Sequence, residues 1–396
     1  MSDMPRLKFR PNKSPQRLQR GFPWAYADEL VLDRRAKKIA PGTIGVLCDA
    51  QGQEICLAAF NPQSKITARV LDTDIHKSID AAWFAEKLTH AAALRDRLYQ
   101  APFYRLIHAE ADGLPGVIID RFGDVFSVQP NAAWAEIHFD ALKEALITCF
   151  NPTAIYKNAA SRGRALEGLD DNSMVVLGEI TAPIPVQMNG ATYLADLIEG
   201  QKTGLFYDQR DNHAFAARLA KGGSVLDVFS HVGGFGLAAA AQGASAVTFV
   251  DSSAAALDLI ARAGPENRFT GALNTLRGDA FDVMTKLSED AKRFDLVVCD
   301  PPAFAPNKQA LDAGLRAYTR AAKLAADLVT TGGYLALCSC SHAATVEKFR
   351  TACLTGIGKA GRRGQILHTG GAGADHPMHP ALSESGYLKS LFLRLG

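Results

Sequence analysis

The sequence lacks any long apolar run, which excludes a protein anchored by membrane-spanning helices. Its longest apolar runs contain five or six residues, whereas a helix that crosses a bilayer needs about 20. The N-terminus is basic, but no apolar stretch follows it, so the chain shows no secretory signal. From these absences we expect a cytoplasmic protein without a membrane partner.

Cysteine is too scarce and too irregularly spaced for a disulfide framework or a zinc site. The chain has seven cysteines, an odd number without the regular spacing of disulfide-rich domains. Cys338 and Cys340 are one residue apart, but no second cysteine pair and no well-spaced histidines accompany them. We therefore expect no metal site, and we expect most of these thiols to be small core side chains.

The chain also has little net charge, but its basic residues are unevenly distributed. The net charge is +2, with 47% apolar and 21% charged residues, which is typical of a globular protein. The length of 396 residues favours two or three domains. Residues 1–38 carry ten Lys or Arg and four acids. Such a segment suits binding to a phosphate backbone, and a solvated terminal arm is the alternative interpretation.

The pattern of apolar residues and turns divides the chain into three parts. Up to about residue 75, the runs LVLD, TIGVLCD, EICLAAF and TARVLD alternate with turn residues and predict a small β-barrel or sandwich. A connecting helix and a mixed α+β segment follow in residues 76–189. From residue 190 to 396, apolar strands alternate with helices, which predicts a parallel sheet covered on both faces.

Ligands of such a sheet bind beyond the carboxyl ends of its strands. The chemically capable residues predicted at that edge are Asp227, Asp251, Asp279, Asp300 and Cys340. Since they follow different strands of one sheet, we expect them to form a single site.

A glycine-rich turn after the strand SVLDVF predicts the cofactor half of the site. The turn, residues 230–236, lacks the regular G-x-G-x-x-G spacing of pyrophosphate binders and therefore favours S-adenosylmethionine over a dinucleotide. Asp227 stands where it could pair with an ammonium group, and Asp251 where an acid binds ribose hydroxyls. Asp279, next to Ala280, is placed for the adenine amino group; a helix N-cap is the structural alternative for each acid.

The runs FDLVVCDPPAF and YLALCSCS predict the chemical half. They place a carboxylate, Asp300, and a thiol, Cys340, after two neighbouring buried strands. Cys338 shares a face with Cys340 in an extended strand, but it lies further inside and is interpreted as a core thiol. An acid and a sulfur nucleophile on one rim suit chemistry on a flat electrophilic ring such as cytosine.

Seven segments spread over the full length carry a further signal: RGFPWAYADEL, EADGLPGVIIDRFGD, KTGLFYDQRDN, VLDVFSHVGGFG, CDPPAFAPNK, CSCS and ADHPMHPALSESGYLKSLFL. In sequence and in order they resemble the bacterial 23S ribosomal RNA large subunit methyltransferase I family, which makes 5-methylcytidine. The resemblance implies an α/β chain: a C-terminal Rossmann-like class I methyltransferase sheet, an N-terminal small β-barrel PUA-like domain and a central α+β domain. The partner it implies is RNA, specifically 23S ribosomal RNA, and a homodimer is a candidate oligomeric state.

The resemblance also implies residue roles. Cys340 is the thiolate that adds to C6 of cytosine, and Asp300 is the acid that supports charge on the ring at N3. The cofactor-binding residues implied are Asp208, Gln209, Asp227, Phe229, Ser230, Gly233, Gly234, Phe235, Asp251, Ser252, Asp279, Ala280, Asp300 and Pro301. The RNA-binding residues expected are Arg6, Lys8, Arg10, Lys13, Arg17, Arg20, Lys202 and Lys308.

Two departures from the family pattern stand beside the site. Ala303 replaces the family's usual lysine, and His342-Ala343-Ala344 replaces Gly-Leu-Met after the cysteine and its serine. His342 is a candidate proton acceptor, with a surface or capping role as the alternative. His376 and Tyr387 are expected either to flank the site or to pack on the sheet edge.

Three other functions fit parts of the sequence. A methyltransferase that modifies a base nitrogen would use the DPPAF motif without the cysteine. A PUA-type RNA-binding assembly protein would not turn over, although the complete set of acids and Cys340 argues against it. A nicotinamide-dependent oxidoreductase would leave CDPPAF without a purpose.

Overall fold

The computed structural model describes residues 4–200, 204–267 and 269–396. The chain forms two compact units. One contains the described residues up to Thr181 together with Pro377–Ser383, and the other contains Ala182–His376 and Glu384–Gly396. The first two parts expected from the sequence thus share one unit, and their separation at residue 75 stays a prediction.

The first unit begins with a small closed sheet. Its elements are β1 (Arg6–Lys8), α1 (Gln16–Gln19), β2 (Trp24–Tyr26), β3 (Thr43–Cys48), β4 (Glu54–Phe60) and β5 (Ile66–Asp72). The strand order is β1-β3-β4-β5-β2. An isolated bridge between Phe9, next to β1, and Leu30, a few residues after β2, brings the two edges of the sheet together. Because β1 belongs to this sheet, the described part of the basic segment is folded here and is not a solvated arm.

The prediction of a strand for LVLD is wrong beyond its first residue. Leu30 makes the bridge to Phe9, but the chain then turns, because the carboxylate of Asp33 accepts hydrogen bonds from the backbone nitrogens of Arg35 and Ala36. A side chain that binds its own backbone in this way competes with strand pairing.

The remainder of the first unit is an α+β layer. Its elements are α2 (Ala81–Leu98), β6 (Phe103–His108), β7 (Val117–Phe122), β8 (Val125–Pro130), α3 (Ala133–Ile137), α4 (Phe139–Phe150), β9 (Ala154–Lys157), α5 (Gly163–Leu166) and β10 (Met174–Leu177). The strand order is β10-β9-β8-β7-β6. In its core, the rings of Phe84 and Trp134 stack with centroids 5.9 Å apart. Within the described part of the chain, no helix has the length and apolar character needed to cross a membrane.

The second unit contains the larger sheet. It opens with a hairpin and continues as alternating helices and strands: β11 (Ile184–Met188), β12 (Ala191–Ala195), α6 (Arg210–Leu219), β13 (Ser224–Val228), α7 (Gly234–Ala241), β14 (Ala246–Asp251), α8 (Ala254–Ala263), β15 (Ala272–Arg277), α9 (Ala280–Glu289), β16 (Phe294–Cys299), α10 (Leu311–Asp327), β17 (Val329–Ser339), α11 (Val346–Lys359), β18 (Gly364–Gly370) and β19 (Lys389–Leu395).

The strand order of this sheet is β15-β14-β13-β16-β17-β19-β18. The strands from β15 to β17 are parallel, and β19 runs antiparallel to both of its neighbours. Helices α9, α10 and α11 cover one face with a continuous apolar core, while α7 packs on the other. The predicted doubly covered parallel sheet is confirmed from β15 to β17, but the last predicted strand, β19, is antiparallel. The order reverses at β13, which places the ligand-binding crevice at its carboxyl end.

Candidate active site

The carboxyl edge of the parallel sheet brings the five predicted residues to one side. Asp227 lies in β13, and Asp251 ends β14. Asp300 directly follows β16, and Cys340 directly follows β17. Asp279 is the second residue after the end of β15. Burial, together with the nearby charges of Asp300 and Asp251, raises the pKa of Asp227 to about 8. At least three of the acids therefore interact electrostatically.

The turn between β13 and α7 has a strained backbone. Phe229 and His231 have φ values of 61° and 48°, in the left-handed region that residues with a side chain rarely adopt, and Gly233 has φ 83°. Asp251 holds this turn, since its Oδ2 accepts a hydrogen bond of 2.9 Å from the backbone nitrogen of His231. Strain of this kind persists where the surroundings enforce it, and it is common at ligand sites.

The next two glycines of the turn serve packing. A Cβ on Gly234 would lie 2.6 Å from Cε1 of His213, and one on Gly236 would lie 2.2 Å from Cε1 of Phe249. The backbone nitrogen of Gly236 also donates to Oδ2 of Asp227 across 2.8 Å. Asp227 thus anchors α7 as well as lying at the cofactor edge. Phe235 is buried against His213, with ring centroids 4.4 Å apart.

The residues at this turn fit the predicted S-adenosylmethionine. The hydroxyl of Ser230 is buried, and no hydrogen-bond partner for it occurs among the residues that the structure describes. Leaving such a group unpaired costs about 1–3 kcal/mol, which a polar ligand would recover. The converging carboxylates suit a ligand that carries positive charge and hydroxyl groups, and the ring of Phe206 packs beside the turn, 5.1 Å from that of His231.

Asp279 and its neighbours occupy more ordinary positions. Asp279 is exposed and caps α9, because its Oδ1 accepts from the backbone nitrogens of Phe281 and Asp282. This is the structural alternative named above, and an adenine contact stays a prediction. Of the other expected cofactor residues, Ala280 and Pro301 are buried and Ser252 is exposed.

A chain of amides orients Asp300. Nε2 of Gln209 donates to Oδ2 of Asp300 across 2.9 Å. Nδ2 of Asn212 donates in turn to Oε1 of Gln209 across 2.7 Å and to the carbonyl of Gly371 across 2.9 Å. Gln209 is 3% exposed, so its amide is fixed and the carboxylate that it binds has a defined direction.

Two buried serines fix the turn that carries Cys340. Ser339 donates to the hydroxyl of Tyr318 across 2.8 Å, and the same hydroxyl lies 2.7 Å from Oγ of Ser341. Oγ of Ser341 also accepts from the backbone nitrogen of Ala305, which ties this turn to the loop after β16. Because both serines point toward Tyr318, Cys340 between them projects the other way, and it is partly exposed.

Cys338 and Cys299 are buried structural thiols. Cys338 accepts a 3.2 Å hydrogen bond from Ser390. Burial and the charge of Asp300 raise the pKa of both thiols well above the ordinary value. A thiol in this state does not ionise readily and is a poor nucleophile. Of Cys338 and Cys340, only Cys340 is accessible.

Lys389 is a site residue that the sequence analysis missed. The residue is 4% exposed, and its ammonium donates to the carbonyls of Ser341 and Ala344 across 2.6 and 2.8 Å. Burial lowers the pKa of Lys389, while the nearby Cys340 raises it. A lysine at the start of the mostly apolar strand LKSLFLRL was the available signal.

Tyr387 contacts both Asp208 and His342, the second residue after Cys340. The hydroxyl of Tyr387 donates to Oδ2 of Asp208 across 2.5 Å, and the rings of His342 and Tyr387 lie 5.4 Å apart. His376 is buried, with Nδ1 2.9 Å from Oδ1 of Asp375. Tyr387 thus contacts predicted site residues.

Aromatic rings connect the turn between β13 and α7 (the cofactor turn) with the loop that follows Asp300. The ring of Phe304 lies 6.3 Å from that of Phe229 and 5.0 Å from that of Tyr318. Phe229 and Phe304 are partly exposed. The two halves of the predicted site therefore adjoin, and Ala303, where a lysine was noted as missing, lies in the loop between them.

The predicted RNA-binding residues differ in their surroundings. Three of them form ion pairs with acids: Arg6 with Glu54, Lys13 with Asp28 and Arg17 with Glu29. Arg10 donates to the carbonyl of Leu30. Lys8, Arg20 and Lys308 are exposed, and Lys202 lies outside the described residues.

A surface cavity of about 360 Å³ adjoins some of these residues in the first unit. It is lined by Ser14, Gln16, Arg17, Arg20, Phe22 and Ala381. The guanidinium of Arg17 lies 3.8 Å above the ring of Phe22, and Phe22 neighbours Trp24 and Tyr26. Basic and aromatic side chains on one surface are typical of single-stranded nucleic acid binding.

Comparison with known proteins gives matches along the whole chain. A family profile described as S-adenosylmethionine-dependent methyltransferase matches residues 139–393, and one described as a PUA-like domain matches residues 10–73. A protein of Shewanella denitrificans named ribosomal RNA large subunit methyltransferase I is 35% identical over 98% of this chain and 99% of its own length. A protein of Erwinia tasmaniensis with the same name is 36% identical over 96% of both chains.

Solved structures with the same fold cover the whole length. One described as a SAM-dependent methyltransferase from Streptococcus mutans has a TM-score of 0.80 at 20% identity and covers 99% of this chain and all of its own. A second, a methyltransferase complexed with SAH, has the same TM-score, identity and coverage. At this identity the likeness establishes the fold alone.

Proposed function

Since the chain belongs to the ribosomal RNA large subunit methyltransferase I family of S-adenosylmethionine-dependent methyltransferases, we propose that it methylates C5 of a cytosine in 23S ribosomal RNA. Relatives named for the large subunit RNA and the PUA-like domain support the RNA substrate. The site geometry supports the choice of cytosine C5.

When bound, S-adenosylmethionine supplies an electrophilic methyl group on a sulfonium. In this proposal Asp227 pairs with its ammonium group, Asp251 binds the ribose hydroxyls, and Asp279 with Ala280 binds the adenine. The remaining residues that would line its pocket are Phe229, Ser230, Gly233, Gly234, Phe235, Ser252 and Pro301. The unpartnered hydroxyl of Ser230 supports this placement.

The chain's own residues would activate the cytosine ring. C5 of cytosine is a poor nucleophile, and addition of the Cys340 thiolate to C6 would place electron density on C5. Asp300, as the neutral acid, would donate a hydrogen bond to N3 and so stabilise the negative charge that develops on the ring, in the direction that the Gln209 amide imposes on it. Loss of the C5 proton would then expel the thiolate and restore the aromatic ring.

The observation that carries the proposal is the contrast between Cys338 and Cys340. Cys338 lies in β17 and Cys340 directly follows it on the same side, and the charge of Asp300 acts on the inner thiol. Only the outer thiol is accessible, and the two serines beside it are fixed on Tyr318. A purely structural cysteine would have no need of such a turn.

The test uses ribosomal RNA from cells that lack this protein as substrate for the full-length enzyme. Mass mapping should show one new methyl group on a cytosine, at C5. Cys340→Ala should abolish it, whereas Cys338→Ala, the matched control, should keep it. A Cys340→Ala enzyme that still methylates would support a base-nitrogen reaction instead. A wild-type protein that does not bind S-adenosylmethionine would indicate a non-catalytic assembly protein.

A further inference from the structure

The proposed reaction needs a base that removes the proton from C5, and no residue has been assigned to that step. We propose that the carboxylate of Asp208 accepts this proton and that the hydroxyl of Tyr387 holds it in position. This inference rests on the proposed function, because only a cytosine methylated at C5 through a thiolate adduct must lose this proton.

Asp208 is held at one carboxylate oxygen and has no donor at the other among the described residues. Tyr387 donates to Oδ2 across 2.5 Å, and the backbone carbonyl of Asp208 accepts from the nitrogen of Gly373 across 2.8 Å. Oδ1 is buried, and within the described parts of the chain no group donates to it. A buried carboxylate oxygen without a donor is costly, so its retention indicates a use for its lone pairs.

The neighbours of Asp208 place it between the two halves of the site. Two residues before it, Phe206 packs on His231 of the cofactor turn. The next residue, Gln209, binds Asp300. The Tyr387 that holds Asp208 lies against His342, two residues beyond Cys340. Asp208 is thus bounded by the turn between β13 and α7, by Asp300 and by the turn that carries Cys340. Its carboxylate is placed to reach a cytosine held among these three.

Other candidate bases in this part of the fold are less suitable. The ring of His342 is exposed to solvent. His376 is buried and paired with Asp375. Lys389 is committed as an ammonium donor to two carbonyls, and an ammonium has no lone pair to offer.

The step balances without another reactant. After methylation, C6 carries the sulfur of Cys340, and C5 carries both the methyl group and a proton. Oδ1 of Asp208 takes the proton, and the electron pair of the C5–H bond forms the C5–C6 double bond. The C6–S bond breaks, and its electron pair leaves on the Cys340 thiolate. Asp208 afterwards releases the proton to water.

The experiment measures the covalent enzyme–RNA adduct on denaturing gels. Asp208→Asn should lower turnover by at least about 100-fold, the usual contribution of a general base, and should accumulate an adduct in the presence of S-adenosylmethionine and undermodified ribosomal RNA. The matched control is Asp211→Asn, an exposed acid three residues along the chain, which should behave like wild type. RNA transcribed with 5-fluorocytidine, which has no C5 proton to lose, should trap wild type and Asp208→Asn equally.

Two results would overturn the assignment. The first is an Asp208→Asn enzyme that methylates at the wild-type rate without a trapped adduct. The second is an Asp208→Asn enzyme that forms no adduct even with the 5-fluorocytidine RNA. Should Asp208→Asn fail to fold, Tyr387→Phe, which keeps the ring, should slow adduct release instead. The proposed function fails separately, since it requires that wild type form an adduct and that Cys340→Ala form none.

Discussion

Nε2 of Gln209 donates to Oδ2 of Asp300 across 2.9 Å, although the two residues are 91 positions apart in the chain. The bond connects the segment before α6 with the residue that follows β16. Since Gln209 is itself fixed by Asn212, the direction of the Asp300 carboxylate is set from outside its own loop. The acid is thereby oriented before a substrate arrives, and preorganised groups of this kind contribute most to catalysis.

Replacing Gln209 by alanine should therefore weaken catalysis more than folding. A typical hydrogen bond contributes about 0.5–1.5 kcal/mol, so kcat/KM should fall roughly two- to tenfold. Gln209→Glu should be worse, because a carboxylate has no N–H to donate to Oδ2 of Asp300 and would compete for the proton that Asp300 offers to the ring. Single-turnover methylation of ribosomal RNA measures both, and an unchanged rate in Gln209→Ala would show that Asp300 needs no such support.

Lys389 should control the reactivity of Cys340. A negative charge on Cys340 stabilises the Lys389 ammonium, and by reciprocity the ammonium favours the thiolate. Lys389→Met should therefore move the alkylation of Cys340 by iodoacetamide to higher pH, as followed by mass spectrometry of the peptide. It should also cost about 1–3 kcal/mol of stability, because two carbonyls lose their donor. Lys323→Met, on the exposed side of α10, is the control, and identical alkylation profiles in both variants would contradict the prediction.

The sheet could be predicted from sequence because its strands are continuous apolar runs. The runs SVLDVF, AVTFVD, FDLVVCD and YLALCSC correspond to β13, β14, β16 and β17, and each ends in or is directly followed by a polar residue that marks the edge. The edge strand β18 was missed, because its residues are mostly exposed and lack the apolar pattern of a covered strand. The barrel strand β2 has three residues, too few for any periodicity.

From the sequence, only those residues of the candidate site that lie next to a strand could be predicted. The acids and Cys340 were identified from their place after apolar runs. The contacts of Gln209 with Asp300 and of Tyr387 with Asp208 join residues 91 and 179 positions apart, and no local pattern encodes such pairs. Lys389 was overlooked for a similar reason, since its role depends on carbonyls 45 and 48 residues earlier.

Asp227 should make the stability of the ligand-free protein fall as pH rises. Its pKa is raised to about 8 by burial, while in the unfolded chain it ionises near pH 3.9. Between these values the folded state binds the extra proton, so stability is lost as pH rises from about 4 to 8, by on the order of 1 kcal/mol per pH unit. Asp227→Asn, which can still accept from Gly236, should flatten that dependence. Guanidinium unfolding at pH 5, 6, 7 and 8 measures the slopes, and equal slopes in the two proteins would refute the prediction.

Arg20 and Arg17 should contribute unequally to RNA binding although both line the same surface cavity. Arg17 already pairs with Glu29, so a phosphate would have to compete with that carboxylate, whereas Arg20 is exposed. Each phosphate contact contributes about 0.9 to the slope of log affinity against log salt for a duplex and about 0.7 for a single strand. Arg20→Ala should lower the slope by about that amount, and Arg17→Ala by less. Titration of ribosomal RNA fragments between 50 and 200 mM salt measures this, with Arg262→Ala on α8 as a control of equal charge change. Equal slopes for Arg20→Ala and Arg262→Ala would place the RNA elsewhere on the protein.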